Sequence, residues 1–265
     1  MKIGIVGLGV VGSAVRYGFE KLGHTVGYHD IKYNTSLDDV VDTEVCYICV
    51  PTPTRGEGEC DVSIVREVVL ELNSREYKGV VAIKSTVAPG TTRSLQESFP
   101  NLDLCFVPEF LRERCPEVDF MENHDLCIIG TDSDEVFNII KKCHGKYPKV
   151  FKQMSSVEAE LSKYFNNIFN ATLIIFANSF YEVCQRLGAD YASVKDAMTI
   201  RSHIPDLYLD CNESFRGFGG MCLPKDTKAI AALCENMHLD IEFFKMLLKE
   251  NSKYKITVFT GMRKE

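Results

Sequence analysis

Lys2-Ile-Gly-Ile-Val-Gly-Leu-Gly-Val-Val-Gly12 is the stretch from which the fold is read. Residues 2–6 are a short apolar run of the kind a strand buried on both faces carries, and glycines at 7, 9 and 12 follow at once. Residues 13–22 then have helical periodicity until Gly23 stops them, and residues 25–29 read as a second strand ending at Asp30. In that setting each glycine has its own reason. Gly7 makes the tight turn, Gly9 lets main chain approach a pyrophosphate, and Gly12 lets the helix pack close to the strand, while an acid about 20 residues on meets the ribose hydroxyls. The expectation is a dinucleotide-binding unit, with NAD favoured over NADP because the Asp30 carboxylate repels a 2′-phosphate.

The pattern continues outward from there. Residues 44–50, 80–84, 104–107 and 126–130 read as further strands, the last of these closing the set. Residues 61–72, 92–98 and 134–143 read as helices, with one brief helix within 34–42. Small polar or charged groups follow three strand ends, in Pro51-Thr-Pro-Thr54, Ser85-Thr86 and Pro108-Glu-Phe-Leu-Arg-Glu113. Ligands sit at such carboxyl edges in open α/β folds, although turn chemistry and solvation explain the same residues. From residue 155 the texture changes: residues 156–187 hold a helical pattern with no proline or glycine, a length suited to a spine or a dimer contact. Helices at 191–198, 227–237 and 241–254, a long loop at 201–215 and a tail at 256–265 complete the reading. The predicted fold class is α/β: a Rossmann-like doubly wound sheet over 1–150, then an all-helical domain over 151–265 built on a long central helix.

A chain of 265 residues with a formal charge of -7 and no basic tract does not suit a nucleic-acid surface, which needs clustered Lys and Arg. Eleven cysteines is an odd number without CxxC or Cys/His ligand spacing, so no metal is expected and reduced thiols in a cytoplasm are the simpler account. The chain opens directly on a strand instead of a signal peptide, and its most apolar run, residues 171–177, is far too short to span a bilayer.

Arg216-Gly-Phe-Gly-Gly-Met-Cys-Leu-Pro-Lys-Asp226 is the second informative stretch. Its glycines permit close approach of main chain to a ligand, Lys225 favours a thiolate at Cys222, and Asp226 is placed to hold a lysine or a water. A glycine-rich turn with an inert thiol fits the same string. On the long helix Lys163 and Asn167 lie four apart and share a face, while Phe165 and Phe169 suggest that part of this surface is packed.

Together, Gly7-Leu-Gly-Val-Val-Gly12, Pro51-Thr-Pro-Thr54, Lys84-Ser-Thr-Val-Ala-Pro-Gly90, Pro108-Glu-Phe-Leu-Arg-Glu113, Lys163-Tyr-Phe-Asn-Asn167 and Gly217-Phe-Gly-Gly-Met-Cys-Leu-Pro-Lys-Asp226 resemble, in order, the motifs of the UDP-glucose 6-dehydrogenases and their relatives. The resemblance implies Cys222 as nucleophile, Lys163, Asn167 and Asp226 as its companions, and Thr86 and Glu109 as aids to proton movement and hydrolysis. It implies cofactor contacts from Gly7, Gly9, Val11, Gly12, Asp30, Thr54, Thr86, Glu113 and Lys225. Sugar-nucleotide contacts are implied for Glu109, Phe110, Leu111, Arg112, Glu113, Lys163, Asn167, Arg201, Phe218 and Gly219. The implied activity is NAD-dependent oxidation of a UDP-sugar to its acid, UDP-glucose to UDP-glucuronate with two NAD in the first place; apart from the resemblance, the long helix points to a homodimer and the thiols to a cytoplasm.

That chemistry suits the residue types. Two oxidations of one carbon require the aldehyde to be retained, and a cysteine retains it first as thiohemiacetal and then as thioester. A β-hydroxyacid dehydrogenase, which performs one oxidation without Cys222, and a non-catalytic NAD-binding relative are the alternatives. Two departures stand out against the resemblance. The family usually continues after its last helix into a third α/β domain that covers the nucleotide, and this chain stops; and the segment between Asp30 and Ser36 is short, with Lys32 as the candidate basic residue at the cofactor ribose.

Overall fold

By its contacts the chain divides into two units, Met1–Pro53 with Cys60–Lys163, and Thr54–Glu59 with the chain from Tyr164 onward. The structure, a computed structural model, describes residues 1–256, so the tail read at 256–265 lies outside the described residues from 257 on.

The first unit opens with β1 (Lys2–Val6), α1 (Val10–Lys21), β2 (Thr25–His29) and β3 (Val45–Ile48); the chain then forms a small hairpin, β4 (Thr54–Arg55) and β5 (Glu59–Cys60), of which Thr54–Glu59 belongs to the second unit, and returns to the first at Cys60. Next are α2 (Ser63–Ser74), β6 (Val80–Ile83), α3 (Thr91–Ser98), β7 (Asp103–Phe106), α4 (Pro116–Met121), β8 (Leu126–Gly130), α5 (Asp134–His144) and β9 (Val150–Met154). Seven strands form one sheet in the order β2-β1-β3-β6-β7-β8-β9, parallel throughout except where β8 meets β7. Alternate residues of each strand serve opposite faces: in β3, Cys46 and Ile48 join one apolar core and Val45 and Tyr47 the other. Helices α2 and α3 cover the first face with Val65, Val69, Leu72 and Leu95, and α1 and α5 cover the second with Val15, Phe19, Val136 and Ile140. Each such fully buried side chain contributes about 1.5–3 kcal/mol, which explains why near-continuous apolar runs make these strands. This is the doubly wound sheet expected from the sequence.

Strand β1 lies between β2 and β3, so the winding direction reverses there and a crevice opens beyond the carboxyl ends of β1 and β3. Gly7 occupies the left-handed region at φ 93°, and a Cβ there would sit 2.6 Å from the Cys49 carbonyl oxygen. At Gly12 a Cβ would sit 1.9 Å from the Gly7 oxygen, so no side chain is possible without moving the loop. Helix α1 begins at Val10 with Gly9 as its N-cap, earlier than the periodicity at 13–22 indicates, because the glycine turn forms the first helical turn itself.

Two elements of this unit were hidden. Strand β9 carries the sheet past residue 150, where the sequence reading closes the domain; it is an edge strand with Lys152 exposed, so its pattern is not apolar enough to declare it. Helix α4, with Pro116 in its first turn, falls in a stretch to which the sequence assigns no element.

Helix α6 (Ser156–Leu187) runs from the first unit into the second, which continues with α7 (Tyr191–Thr199), α8 (Leu223–Asn236) and α9 (Phe243–Asn251). Ala177, Cys184, Tyr191, Leu209 and Cys211 form a small core here. The hairpin tip packs on α8: Glu59 Oε1 accepts from Asn236 Nδ2 at 3.1 Å, and a Cβ on Gly58 would be 3.0 Å from the Lys228 oxygen. Phe165 and Phe169 are not packed as expected. They are exposed and stack on each other with rings 6.4 Å apart. Among the described residues no helix is long and apolar enough to cross a membrane.

Candidate functional site

In the first unit the glycine turn and the end of β2 are tied together. Asp30 accepts from the Leu8 amide at 2.6 Å through one carboxylate oxygen and from the Lys32 amide at 2.8 Å through the other. Burial opposes its ionisation, but these two amide donors more than offset that and hold the carboxyl below its ordinary value. Gly9 faces open space, since a Cβ added there meets nothing within 4 Å. At the next strand ends, Ser85 Oγ donates to the Val50 oxygen at 2.7 Å, joining β6 to β3, and Thr86 is half-buried with its carbonyl accepting from Cys60 Sγ at 3.4 Å. Val11 is half-buried against the second core; Thr54, which belongs to the second unit, is exposed in β4.

Beyond β7 the chain places Glu109, which α6 meets with Lys163. The Lys163 ammonium donates to Glu109 Oε1 at 2.7 Å and to the Glu109 carbonyl at 2.6 Å, and Glu109 Oε2 accepts from the Leu111 amide at 2.7 Å. Both side chains are buried. Burial pushes the Glu109 carboxyl upward, but the Lys163 charge and hydrogen bond outweigh it, so the carboxyl stays below its ordinary value. Phe110 lies beneath the ammonium, its ring centre 5.8 Å away. Lys84 is also buried nearby, donating weakly to the Val107 and Pro108 carbonyls at 3.3 and 3.4 Å, and burial lowers its pKa.

Arg112 is engaged from α4. Its Nε and a terminal nitrogen donate to the two oxygens of Asp119 at 2.9 and 2.6 Å, and its amide donates to Asp119 at 2.8 Å. Asn123 adds a fourth donor at 3.0 Å. This bidentate fork fixes the segment carrying Leu111, Arg112 and the half-buried Glu113. Nothing in the sequence reading indicated Asp119, because its element was unrecognised.

In the second unit Cys222 is exposed and is the N-cap residue of α8. The helix starts at Leu223, directly after the cysteine, not at residue 227; Pro224 in its first turn is the signal that marks this start. One turn on, the Asp226 amide donates to the Cys222 carbonyl at 2.8 Å. The Asp226 side chain is fully buried and accepts from Asn167 Nδ2 at 2.6 Å. Lys225 Nζ stands 2.9 Å from the other Asp226 oxygen without the alignment of a hydrogen bond, so both atoms are buried with an ion-pair contact only. Phe218 is 2% exposed, Gly219 is half-buried and Arg201 is exposed. The structure thus joins Lys163 to Glu109 in one unit and Asn167 to Asp226, next to Lys225 and Cys222, in the other.

Residues 29–147 match the NAD binding domain, and residues 157–253 the central domain, of one family. The chain belongs to the UDP-glucose/GDP-mannose dehydrogenase family. It is 29% identical over 285 residues to a UDP-glucose 6-dehydrogenase of Haloferax volcanii, a match covering 88% of this chain and 65% of that protein. With a UDP-glucose 6-dehydrogenase of Rickettsia conorii it shares 31% identity over 227 residues, covering 83% of this chain and 51% of the relative. The solved UDP-glucose dehydrogenase of Pyrobaculum islandicum superposes with a TM-score of 0.86 at 27% identity, covering 95% of this chain and 68% of that one. The chain therefore spans about half to two-thirds of the length of the curated relatives it matches. NAD is the family's cofactor in the first unit, and the residues present fit it: open space over Gly9, uncapped amides at the start of α1, and an ionised Asp30 at the end of β2.

Proposed function

We propose that this chain is the oxidising part of an NAD-dependent nucleotide-sugar 6-dehydrogenase whose substrate is UDP-glucose and whose product is UDP-glucuronate. The observation that carries the reading is the exposed Cys222 at the N-terminus of α8, one turn before the buried, amide-held Asp226. Negative charge is stabilised at the start of a helix, which suits a sulfur that must act as thiolate. NAD, when bound, accepts the hydride in both oxidations.

The sugar's C6 alcohol loses a hydride and a proton to become an aldehyde. The Cys222 sulfur adds to the carbonyl carbon, and the oxygen takes up a proton to give the thiohemiacetal. The same carbon then loses its second hydride, with the hydroxyl proton, and a thioester remains. Water adds to that carbon, the carbon–sulfur bond breaks, and the acid leaves as the thiolate is restored. Helix α6 bears Lys163 and Asn167 one turn apart, so one helix supplies both a charge and an amide for the oxyanion in this reading. Asp226 and Thr86 order the water that carries off the first proton, and Glu109, ionised at neutral pH, accepts the proton of the attacking water. Its bond to Lys163 makes the two act as a pair. The nucleotide sugar lies along residues 109–113 with Arg201, Phe218 and Gly219, and Val11, Thr54, Glu113 and Lys225 complete the cofactor contacts.

Two copies associate through α6. Phe165, Phe169, Phe176, Phe180, Val183 and Leu187 are all exposed, and at 3.6 residues per turn they fall within about 60° of arc. We place the protein in a reducing cytoplasm, where eleven thiols persist.

Cys222→Ser tests the reading. UDP-glucuronate formation should stop while NAD still binds with wild-type affinity, and the native chain should yield two NADH for each acid. Acid production by the serine variant at the native rate refutes the thioester route.

A further inference from the structure

The loop that carries Cys222 contains Gly217, Gly219 and Gly220 and has no regular secondary structure, yet it is fixed. Phe218 is almost completely buried, and both of its main-chain groups are taken by one side chain, that of Asn251 in the last turn of α9. Asn251 Oδ1 accepts from the Phe218 amide at 2.7 Å, and its Nδ2 donates to the Phe218 carbonyl at 2.8 Å. The carboxamide thus does for this one residue what a neighbouring strand does in a sheet. Gly217, immediately before it, lies at φ 60°, and a Cβ there would come within 2.9 Å of Asn251 Oδ1.

A second buried amide secures the residues before Phe218. Asn178 of α6, 1% exposed, accepts with Oδ1 from the Gly217 amide at 3.1 Å and from Arg216 Nε at 2.7 Å, while its own Nδ2 donates to the Ile174 carbonyl at 2.8 Å. The Arg216 guanidinium lies between the Tyr181 and Tyr254 rings, 4.7 Å from each ring centre, and pairs with Glu182. On the far side of the loop, the Cys222 carbonyl is held by the Asp226 amide. Only Gly219, Gly220 and Met221 separate the two fixed points. So short a tether lets the sulfur move little while both anchors hold, and lets it wander when one is lost. Burying two carboxamides is unfavourable unless their bonds are made, and the proposed chemistry uses neither.

We infer that Asn251 is the positioning residue for Cys222, acting through the Phe218 main chain, with Asn178 holding the preceding residue in register. The inference rests on the reading of Cys222 as nucleophile, and its test separates the two.

In the 265-residue chain, Asn251→Ala removes both bonds, Asn251→Asp keeps the acceptor and loses the donor, and Asn251→Ser keeps a short hydroxyl should alanine fail to fold. Site-resolved hydrogen exchange of the Phe218 amide should quicken by about tenfold or more in Asn251→Ala, since two buried main-chain groups lose their partners. Iodoacetamide labelling of Cys222, followed by mass spectrometry, should change in rate together with it. With UDP-glucose, kcat should fall roughly 10- to 100-fold, as misplacement of a reacting group by about an ångström does. The KM for NAD should stay within about twofold of wild type, with the aspartate variant in between. Unchanged exchange and unchanged labelling in Asn251→Ala, or in Asn251→Ser where the alanine variant does not fold, overturn the inference, as does a parallel loss of kcat and NAD affinity in a folded variant. If the loop loosens in Asn251→Ala but Cys222→Ser still makes acid, the clamp stands and the nucleophile assignment falls.

Discussion

Replacing Lys163 by methionine keeps the length of the side chain and removes the ammonium that Glu109 binds through both its carboxylate and its carbonyl. Glu109 is 8% exposed, so the variant leaves a carboxylate in a site from which water is largely excluded. Stranding one partner of a buried pair costs about 3–5 kcal/mol, which for a unit of this size corresponds to roughly 6–20 °C in Tm. The pH dependence carries the sign. In the native protein the Glu109 carboxyl lies below its ordinary 4.5, so its contribution is present above that value and is lost as pH falls through the folded value. In Lys163→Met, burial is no longer offset and the carboxyl moves up, so the penalty is largest at neutral pH and shrinks as acid protonates it. Thermal unfolding at pH 7, 6 and 5 should show the gap between the two proteins closing with acid. Lys163→Met with Glu109→Gln should recover more than half of the lost stability, since neither charge remains, and should make no acid. A loss below about 1 kcal/mol, a gap that ignores pH, or a double variant no better than the single one refutes the buried-pair account.

Glu160 is fully buried and accepts from the Gly90 amide at 2.5 Å and from the Thr92 amide and hydroxyl at 2.8 and 2.6 Å, capping α3, which has no cap of its own; Glu160→Ala should cost about 2 kcal/mol or more in urea unfolding. Asp119 opposes its own burial with donors from Arg112 and Asn123, which hold its carboxyl far below the ordinary 3.8; the stability it gives is present above that value and lost as pH falls through the folded one. Asp119→Asn should therefore be less stable than wild type at pH 6 and show a weaker decline on acidification. For the association through α6 proposed above, Phe176→Glu in the exposed stripe should halve the mass seen by light scattering at micromolar concentration, and an unchanged mass refutes that contact.

The architecture was legible where local chemistry and global position agree. Glycines at 7, 9 and 12 followed by Asp30 declare the first turn and its cofactor edge, and a glycine-free apolar pattern declares α6. What escaped was set by distance along the chain or by edge position. Glu109 and Lys163 are 54 residues apart, and no local pattern in the sequence says that the proposed base and the proposed cation share a bond. Asn178 and Asn251 sit on helices, where polar residues read as solvated faces, and their partners are main-chain amides that carry no side-chain signature. The start of α8 was readable after all, from Pro224 two residues past Cys222.

The hairpin from Thr54 to Glu59 means that the polypeptide passes between its two units three times, after Pro53, after Glu59 and after Lys163. A gene cut within α6 severs only the last of these passages. The amino-terminal fragment would keep Gly58 and Glu59 but leave behind Lys228 and Asn236, the residues they rest on. Shuffling a cofactor half from one relative onto a cysteine half from another therefore splits a matched set, and chimaeras should succeed only when the six hairpin residues are inherited with α8.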